Sequence, residues 1–375
     1  MLASYSEFCN YLGIQIRGRD YLPSKEIRIM TLRKLLMKGS IIVSAIALLV
    51  GMKNANAQAL NVAGSTFVYP IMNKWIQRYH ELHPGVSINY QAIGSGAGIA
   101  QYKSGTVDFG ASDVPLTNKE LATMPRPTLN ILDVSGAIVL CYNVRGIGPG
   151  LHLSGPVIAN IYLGKITKWN DPRIKKLNPY LNLPDEPIRV MHRSDASGTS
   201  YIFTSYLASV SKAWKDGPGV GKSPNWPVGI GAQGNPGVAG LIHHAQGSFG
   251  YIELAYALQN HMPAAVVENR SGNFIAASIQ TTAFAVNSAV KKMEKDIRVS
   301  IVNGPGLNTY PICGFSYLIV PKFPTNVSHG RAMLDFLKWT MSDEAQRMAA
   351  DLLYAPLPDS IRKINLRAID SIKVR

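Results

Sequence analysis

"ALNVAGSTFVYPIMNKWIQRYHELHPGVSINYQAI" (59–93) sets the pattern for the rest of the chain. "ALNVAGST" reads as a strand that runs into a small, hydroxyl-bearing turn. Ile71, Trp75, Ile76, Tyr79 and Leu82 then recur at helical spacing, and Pro84-Gly85 ends the run. "VSINYQAI" alternates as a strand again. Further along, "GAGIAQYKSG" predicts a short helix, "VDFGASD" a strand and loop, and "GAIVLCYNV" a buried strand. Strand and helix in alternation predict an α/β fold with mainly parallel sheets. "WKDGPGVGKSPNWPVGIGAQGNPG" (214–237) is rich in Gly and Pro and predicts a long surface loop. "GRAMLDFLKWTMSDEAQRMAADLLY" predicts a last helical block that closes the fold before Pro356 and Pro358.

Residues 31–57 read as an address. Arg33, Lys34 and Lys38 precede the apolar run "SIIVSAIALLVG", and "KNANA" follows with small residues at Ala55 and Ala57. A basic start, a short apolar middle and an A-x-A end make a secretory signal peptide, with cleavage expected after Ala57. Twelve apolar residues are too few for a membrane span of about 20. Residues 1–29 are expected to be an extension ahead of a translation start at Met30, residues 30–57 the signal, and residues 58–375 the mature, periplasmic protein. A mature chain of this length predicts two domains.

The chain has 375 residues and a formal net charge of +15. Residues 58–375 keep 30 basic and 20 acidic residues, a net of about +10. A positive surface suits anionic partners. The basic residues are scattered and no Lys/Arg block is interleaved with aromatics, so nucleic acid is not expected as a partner. Cys9 falls in the leader. Cys141 and Cys313 lie in apolar runs and read as unpaired, buried residues.

Several motifs are set aside. "DGPGVGKSP" lacks the glycine that a phosphate-gripping loop needs at position 216 and has Pro224 where a helix should start. "GIGAQG" (229–234) follows Trp226-Pro227 rather than a buried strand, which makes a glycine-rich turn the better reading than a dinucleotide site. His80, His83, His243 and His244 have no Cys or carboxylate cluster at ligand spacing and read as solvated. No metal and no cofactor are expected.

Three segments share one form of strand, hydroxyl turn and helix: "AGSTF" (63–67), "IGSGAG" (93–98) and "RSDASGTS" (193–200). A helix start leaves backbone N–H groups unpaired and carries partial positive charge. Ser and Thr add hydroxyl donors, and Gly lets an anion approach the backbone. Each turn alone is also a good helix cap. Three together, with Arg193 attached, point to an oxyanion cradle. Asp113 in "DFGASD" should repel such an anion unless the ligand carries a proton, because a carboxylate can only accept. Phosphate at neutral pH has that proton and sulfate does not, so the aspartate selects between them. Asp195 would hold the Arg193 guanidinium and moderate its charge.

"AGSTF", "YQAIGSGAG", "VDFGASDVPL", "IYLGKITKWND", "RSDASGTSYIFTSYL" and "YAPLPDS" together closely resemble the periplasmic phosphate-binding protein family of the high-affinity phosphate ABC importer. The resemblance spans nearly all of 58–375 in order and spacing. It implies a two-lobed type II periplasmic binding protein fold, each lobe a mainly parallel sheet flanked by helices, with the ligand in the hinge cleft. Lobe I would be 58–140 with 307–375, and lobe II 141–306. The implied phosphate contacts are Thr66, Phe67 (through its backbone N–H), Ser95, Asp113, Arg193, Ser197, Gly198 and Thr199, with Asp195 as the arginine's partner. The implied partners are inorganic phosphate and the importer's inner-membrane permease subunits; the protein would be a monomer and no enzyme. "GSTF" stands where an alanine often precedes Thr-Phe, and "GSGAG" where a second serine often follows the first. Neither change removes an implied contact, though the second bears on the local loop. A secreted phosphatase on the same cradle would need a nucleophile or metal pair, and none is visible. Another protonated oxyanion, arsenate, would satisfy the same aspartate.

Overall fold

The computed structural model describes residues 58–374. The leader and the expected cleavage after Ala57 lie outside the described residues. Eleven strands follow in chain order among those described: β1 (Gln58–Gly64), β2 (Val86–Ala92), β3 (Phe109–Ser112), β4 (Thr128–Asn143), β5 (His152–Leu153), β6 (Arg189–Arg193), β7 (Ile230–Ala232), β8 (Ser248–Glu253), β9 (Val266–Glu268), β10 (Phe274–Ile275) and β11 (Cys313–Pro321). Eight form one sheet in the order β2-β1-β3-β11-β4-β8-β6-β7, and β10-β9-β5 form a second, small sheet.

The two flanks of the large sheet are parallel, as the alternating pattern predicts: β2, β1 and β3 on one side, β8, β6 and β7 on the other. Its middle is antiparallel. β11 pairs antiparallel with both β3 and β4, and β4 pairs antiparallel with β8. "GAIVLCYNV" supplies the second half of the 16-residue β4, and its final Val144 lies just beyond the strand. That strand pairs with β11 through Ala137 and with β8 from Ile138 onward. One uninterrupted strand thus serves both flanks, and its interior positions are buried almost throughout, as expected of a strand covered on both faces.

The first helix, Tyr69–Leu82, buries Ile71, Trp75 and Tyr79 along the predicted stripe. Trp75 Nε1 donates to the Ala345 carbonyl at 2.8 Å, and Tyr79 meets Phe336 edge-on. Helix Ser95–Ser104 presses closely on β1. A Cβ on Gly98 would lie 2.4 Å from Gly64 Cα and 2.6 Å from the Ala63 carbonyl oxygen. Beside β6 and β8, Tyr162, Phe203, Trp214, Trp226 and Tyr251 form an aromatic cluster. Cys141 and Cys313 are buried free thiols, and burial pushes both thiol pKa values up.

Two predicted segments need correcting. Residues 214–237 are not one surface loop. Ser211 Oγ accepts from Trp214 N–H and caps a short helix, Lys212–Asp216, that buries Trp214. β7 then forms on the sheet edge, and Gly234 at φ +70° turns the chain into helix Gly234–His244. Pro236 sits in that helix's first turn, where an N–H would have no partner within the helix. β7 is mainly exposed, so "GIGAQG" lacks the buried strand of a dinucleotide site, but it does build a strand-turn-helix. Nor does the last helical block close the fold. It divides into Val327–Thr340 and Asp343–Asp351, where Ser342 caps the second piece, and a further helix, Asp359–Asp370, follows Pro358. Its Ile361, Asn365 and Ile369 are buried, and Asn365 Nδ2 donates to the Leu132 carbonyl of β4 at 2.6 Å.

The contact between helix Ser95–Ser104 and β1 yields a direct test. Gly98→Ala forces a Cβ against the β1 backbone and should destabilise the fold by about 1–3 kcal/mol. Denaturant unfolding measures it; an unchanged midpoint would contradict the close approach.

Candidate functional site

The three hydroxyl turns follow β1, β2 and β6, and Asp113 follows β3, so all four features emerge at the C-terminal ends of parallel-flank strands. This is where open α/β sheets place their ligand crevices. Ser65, Thr66, Ser95, Asp113, Arg193, Ser197 and Thr199 are all polar or charged and all buried. Such burial is tolerated only with hydrogen-bond partners.

On the β1–β3 flank, Asp113 is the centre. Ser65 Oγ donates to Asp113 Oδ1, and the Phe67 backbone N–H donates to Ser65 Oγ at 2.9 Å. Ser95 Oγ lies 3.5 Å from Asp113 Oδ2 and accepts from Asp113 N–H at 3.2 Å. Three tyrosines fix the first turn by donating to its carbonyls. Tyr90 bonds Ser65 at 2.7 Å, Tyr256 bonds Thr66 at 2.6 Å and Tyr354 bonds Phe67 at 2.6 Å.

On the β6–β8 flank, the Arg193 guanidinium meets Asp195 as a fork. Nε donates to Oδ1 at 2.7 Å and Nη2 to Oδ2 at 2.5 Å. Paired N–H donors match the two carboxylate oxygens and fix the guanidinium plane. Nη1 turns instead to Thr199 Oγ1 at 3.3 Å. Ser197 caps helix Gly198–Val210 by accepting from Ser200 N–H at 3.0 Å. The cap reading of this turn is thus the one that Ser197 Oγ fulfils.

The flanks touch through glycine. Gly198 N–H donates to Ser95 Oγ at 3.2 Å. A Cβ on Gly198 would fall 2.5 Å from both Asp113 Oδ2 and Ser95 Oγ. Gly96 N–H donates to the Ala196 carbonyl at 2.8 Å. A Cβ on Gly94, which has φ +93°, would meet Asp195 Oδ2 at 2.3 Å. Only glycine allows this approach.

The structure gathers the sequence-predicted residues around Asp113 and Arg193, and two of the expected backbone donors, Phe67 and Gly198, already have partners. Phe67 N–H is engaged by Ser65 Oγ, while the Phe67 ring packs against Gly136 and Tyr354. Two residues of the cluster escaped the sequence reading. Ser65 stood inside "AGSTF" but was not singled out. Asn235, wholly buried, comes from the segment read as loop, and only its place after a glycine-rich turn could have signalled it. Its backbone N–H and Nδ2 both donate to Thr66 Oγ1, and Nδ2 also donates to Thr199 Oγ1. Among the described residues, no three His, Cys, Asp or Glu side chains gather as a metal site.

Burial lifts the Asp113 carboxyl to about 7, against the pull of Ser65, Arg193 and Ser95. Asp195 is also penalised by burial, yet the Arg193 fork and Gly234 N–H together hold it below the usual carboxylate range. Two more carboxyls lie buried in the same protein. Burial raises Asp133 to about 7 and Glu253 to about 8.

The chain matches the PBP superfamily domain over residues 52–344 and belongs to that superfamily of periplasmic-binding-protein folds. Within it, a relative from Xylella fastidiosa (strain Temecula1), the phosphate-binding protein PstS, is 42% identical over 302 residues, covering 80% of this chain and 82% of its own. Two solved structures share the fold at low identity. One is a high-affinity periplasmic phosphate-binding protein (PfluDING) bound with phosphate, at TM-score 0.66 and 19% identity, covering 83% of this chain and 93% of its own. The other is the phosphate-binding protein from Stenotrophomonas maltophilia, at TM-score 0.64 and 17% identity, with the same coverage.

Asp113, Asp133 and Glu253 hold a proton more readily in the folded protein than in the unfolded chain. The stability they contribute is therefore full below about pH 4 and lost as pH rises through about 7 to 8. The carboxyls with lowered values act below this window. Unfolding free energy of the ligand-free protein should fall between about pH 5 and pH 8. Guanidinium titrations across that range check it, and a rising profile would contradict the burial of these groups.

Proposed function

We propose that this protein captures inorganic phosphate in the periplasm and hands it to the permease subunits of an inner-membrane ABC importer. The observation that carries the reading is Asp113, a buried acceptor set among hydroxyl and N–H donors. Ser95, Thr66, Thr199 and Ser197 offer hydroxyl donors, and the backbone N–H groups of Phe67 and Gly198, now given to Ser65 and Ser95 Oγ, would turn to the ligand by exchanging those bonds. Arg193, held by Asp195, is the cation of the cluster. Phosphate's ionised oxygens take the donors, and its remaining hydrogen goes to Asp113. With Arg193 balanced by Asp195, the charge of such an anion is met mainly by neutral dipoles, which act strongly in a water-excluded site.

Lobe I is taken as 58–140 with 307–375 and lobe II as 141–306. The change of partner along β4 at Ala137 and Ile138 supports a division near that point. The relative named phosphate-binding protein PstS supports the ligand, and the leader supports the periplasm. Among the described residues no helix is long and apolar enough to cross a membrane. The protein acts as a monomeric carrier, not as an enzyme.

Calorimetric titration of the purified protein tests this reading. At about pH 8, where Asp113 is mainly ionised, phosphate should bind and sulfate, which has no hydrogen for Asp113, should bind about tenfold more weakly, as expected from losing a bond of about 1.5–3 kcal/mol. Equal affinity would refute it. Asp113→Ala and Arg193→Ala should each weaken phosphate binding by about tenfold or more.

The raised Asp113 value adds a pH signature. Below about 7 the carboxyl gains a hydrogen of its own and can donate it to sulfate. The preference for phosphate should therefore narrow as pH falls from about 8 to about 5. Competition calorimetry at both ends decides, and a preference that widens on acidification would exclude the mechanism.

A further inference from the structure

Asn235 bonds a threonine hydroxyl on each flank of the cluster. It stands in the first turn of helix Gly234–His244. Its Oδ1 accepts from the Glu253 backbone N–H at 3.1 Å. That bond fixes the amide orientation, because a flipped amide would set NH2 against N–H. The Nδ2 hydrogens therefore point at Thr66 Oγ1, at 3.0 Å, and at Thr199 Oγ1, at 3.1 Å.

A hydroxyl has two lone pairs and one hydrogen. On Thr66 both lone pairs are taken, one by Asn235 N–H at 3.1 Å and one by Nδ2. On Thr199 they are taken by Nδ2 and by Arg193 Nη1 at 3.3 Å. Each threonine is left with only its hydrogen to offer.

We propose that Asn235 is a positioning residue that sets the hydrogen-bond polarity of the site: by filling the lone pairs of Thr66 and Thr199 it makes both hydroxyls obligate donors toward an oxyanion. This inference rests on the phosphate reading above. It gives the pocket a fixed count, two threonine hydroxyls that can only give against one aspartate that normally only takes. A ligand presenting hydroxyl hydrogens to the threonines, such as a neutral polyol, sets donor against donor. Thr199, Asn235 and Arg193 share the β6–β8 flank, whereas Thr66 lies on the β1 flank, so the polarity of Thr66 is set only when the flanks are together.

The test is a mutant cycle read by phosphate calorimetry. Asn235→Ala frees one lone pair on each threonine, lets each hydroxyl turn away, and should lower affinity about tenfold or more. Asn235→Asp keeps the size and the bond from Glu253 N–H but accepts from the threonines, turning their hydrogens off the ligand; it should cost at least as much. In a Thr66→Val, Thr199→Val background the Asn235→Ala penalty should shrink below about threefold, since nothing is left to orient. If that background binds too weakly to titrate, the penalty should still fall in each single valine variant. A penalty of unchanged size in the valine backgrounds would mean that Asn235 acts by packing and would overturn the inference. So would an Asn235→Ala protein that binds like wild type. A wild-type protein that ignores phosphate would overturn the reading beneath it as well. Should the alanine variant not fold, Asn235→Asp in the same backgrounds gives the same decision.

Discussion

A charge taken out of water must be met by partners, and around this constraint the site is built. Asp113 and Arg193 are both almost fully buried. The arginine is met by the two oxygens of Asp195, which in turn receives Gly234 N–H at 3.0 Å. Asp113 is met by hydroxyls rather than by a cation at contact distance, and burial lifts its carboxyl to about 7 against their pull. The two ends of the site are thus unequal. One holds a fixed, balanced ion pair, and the other a carboxyl poised between its two protonation states.

Everything near these charges serves to keep water and side-chain bulk away from them. Gly94, Gly96 and Gly198 let backbone lie where any Cβ would collide with Asp195, Ala196 or Asp113. Tyr90, Tyr256 and Tyr354 tie down three successive carbonyls of the first turn. The tyrosine hydroxyls come from β2, from the helix that follows β8 and from the C-terminal region, so a five-residue turn is held by segments far apart in sequence.

Much of this was legible in the residues, because local chemistry leaves local marks. The 3.6-residue stripe of Tyr69–Leu82, the alternation of Val86–Ala92 and the hydroxyl turns each carry their own periodicity or composition. Asp113 was legible because a carboxylate among anion donors needs a reason. What stayed hidden depends on long-range pairing. That β4 runs on through 16 residues and changes partner midway is decided by β8 and β11, whose sequences lie more than 100 residues away. Asn235 was hidden for the same reason. Nothing in "GAQGNPG" tells which hydroxyls its amide will reach, and Gly and Pro around it imitate a loop. The helix Asp359–Asp370 escaped because Pro356 and Pro358 look like a terminus, although proline suits a helix entrance well.

β4 has a mechanical consequence. A loose linker between the two flanks would let them swing apart at almost no elastic cost. Here the connection is a paired ribbon whose ladder to β11 passes at Ala137 directly into a ladder to β8. Any separation of the flanks must be taken up as torsion spread along that ribbon, so it behaves as a spring with a restoring force rather than as a free joint.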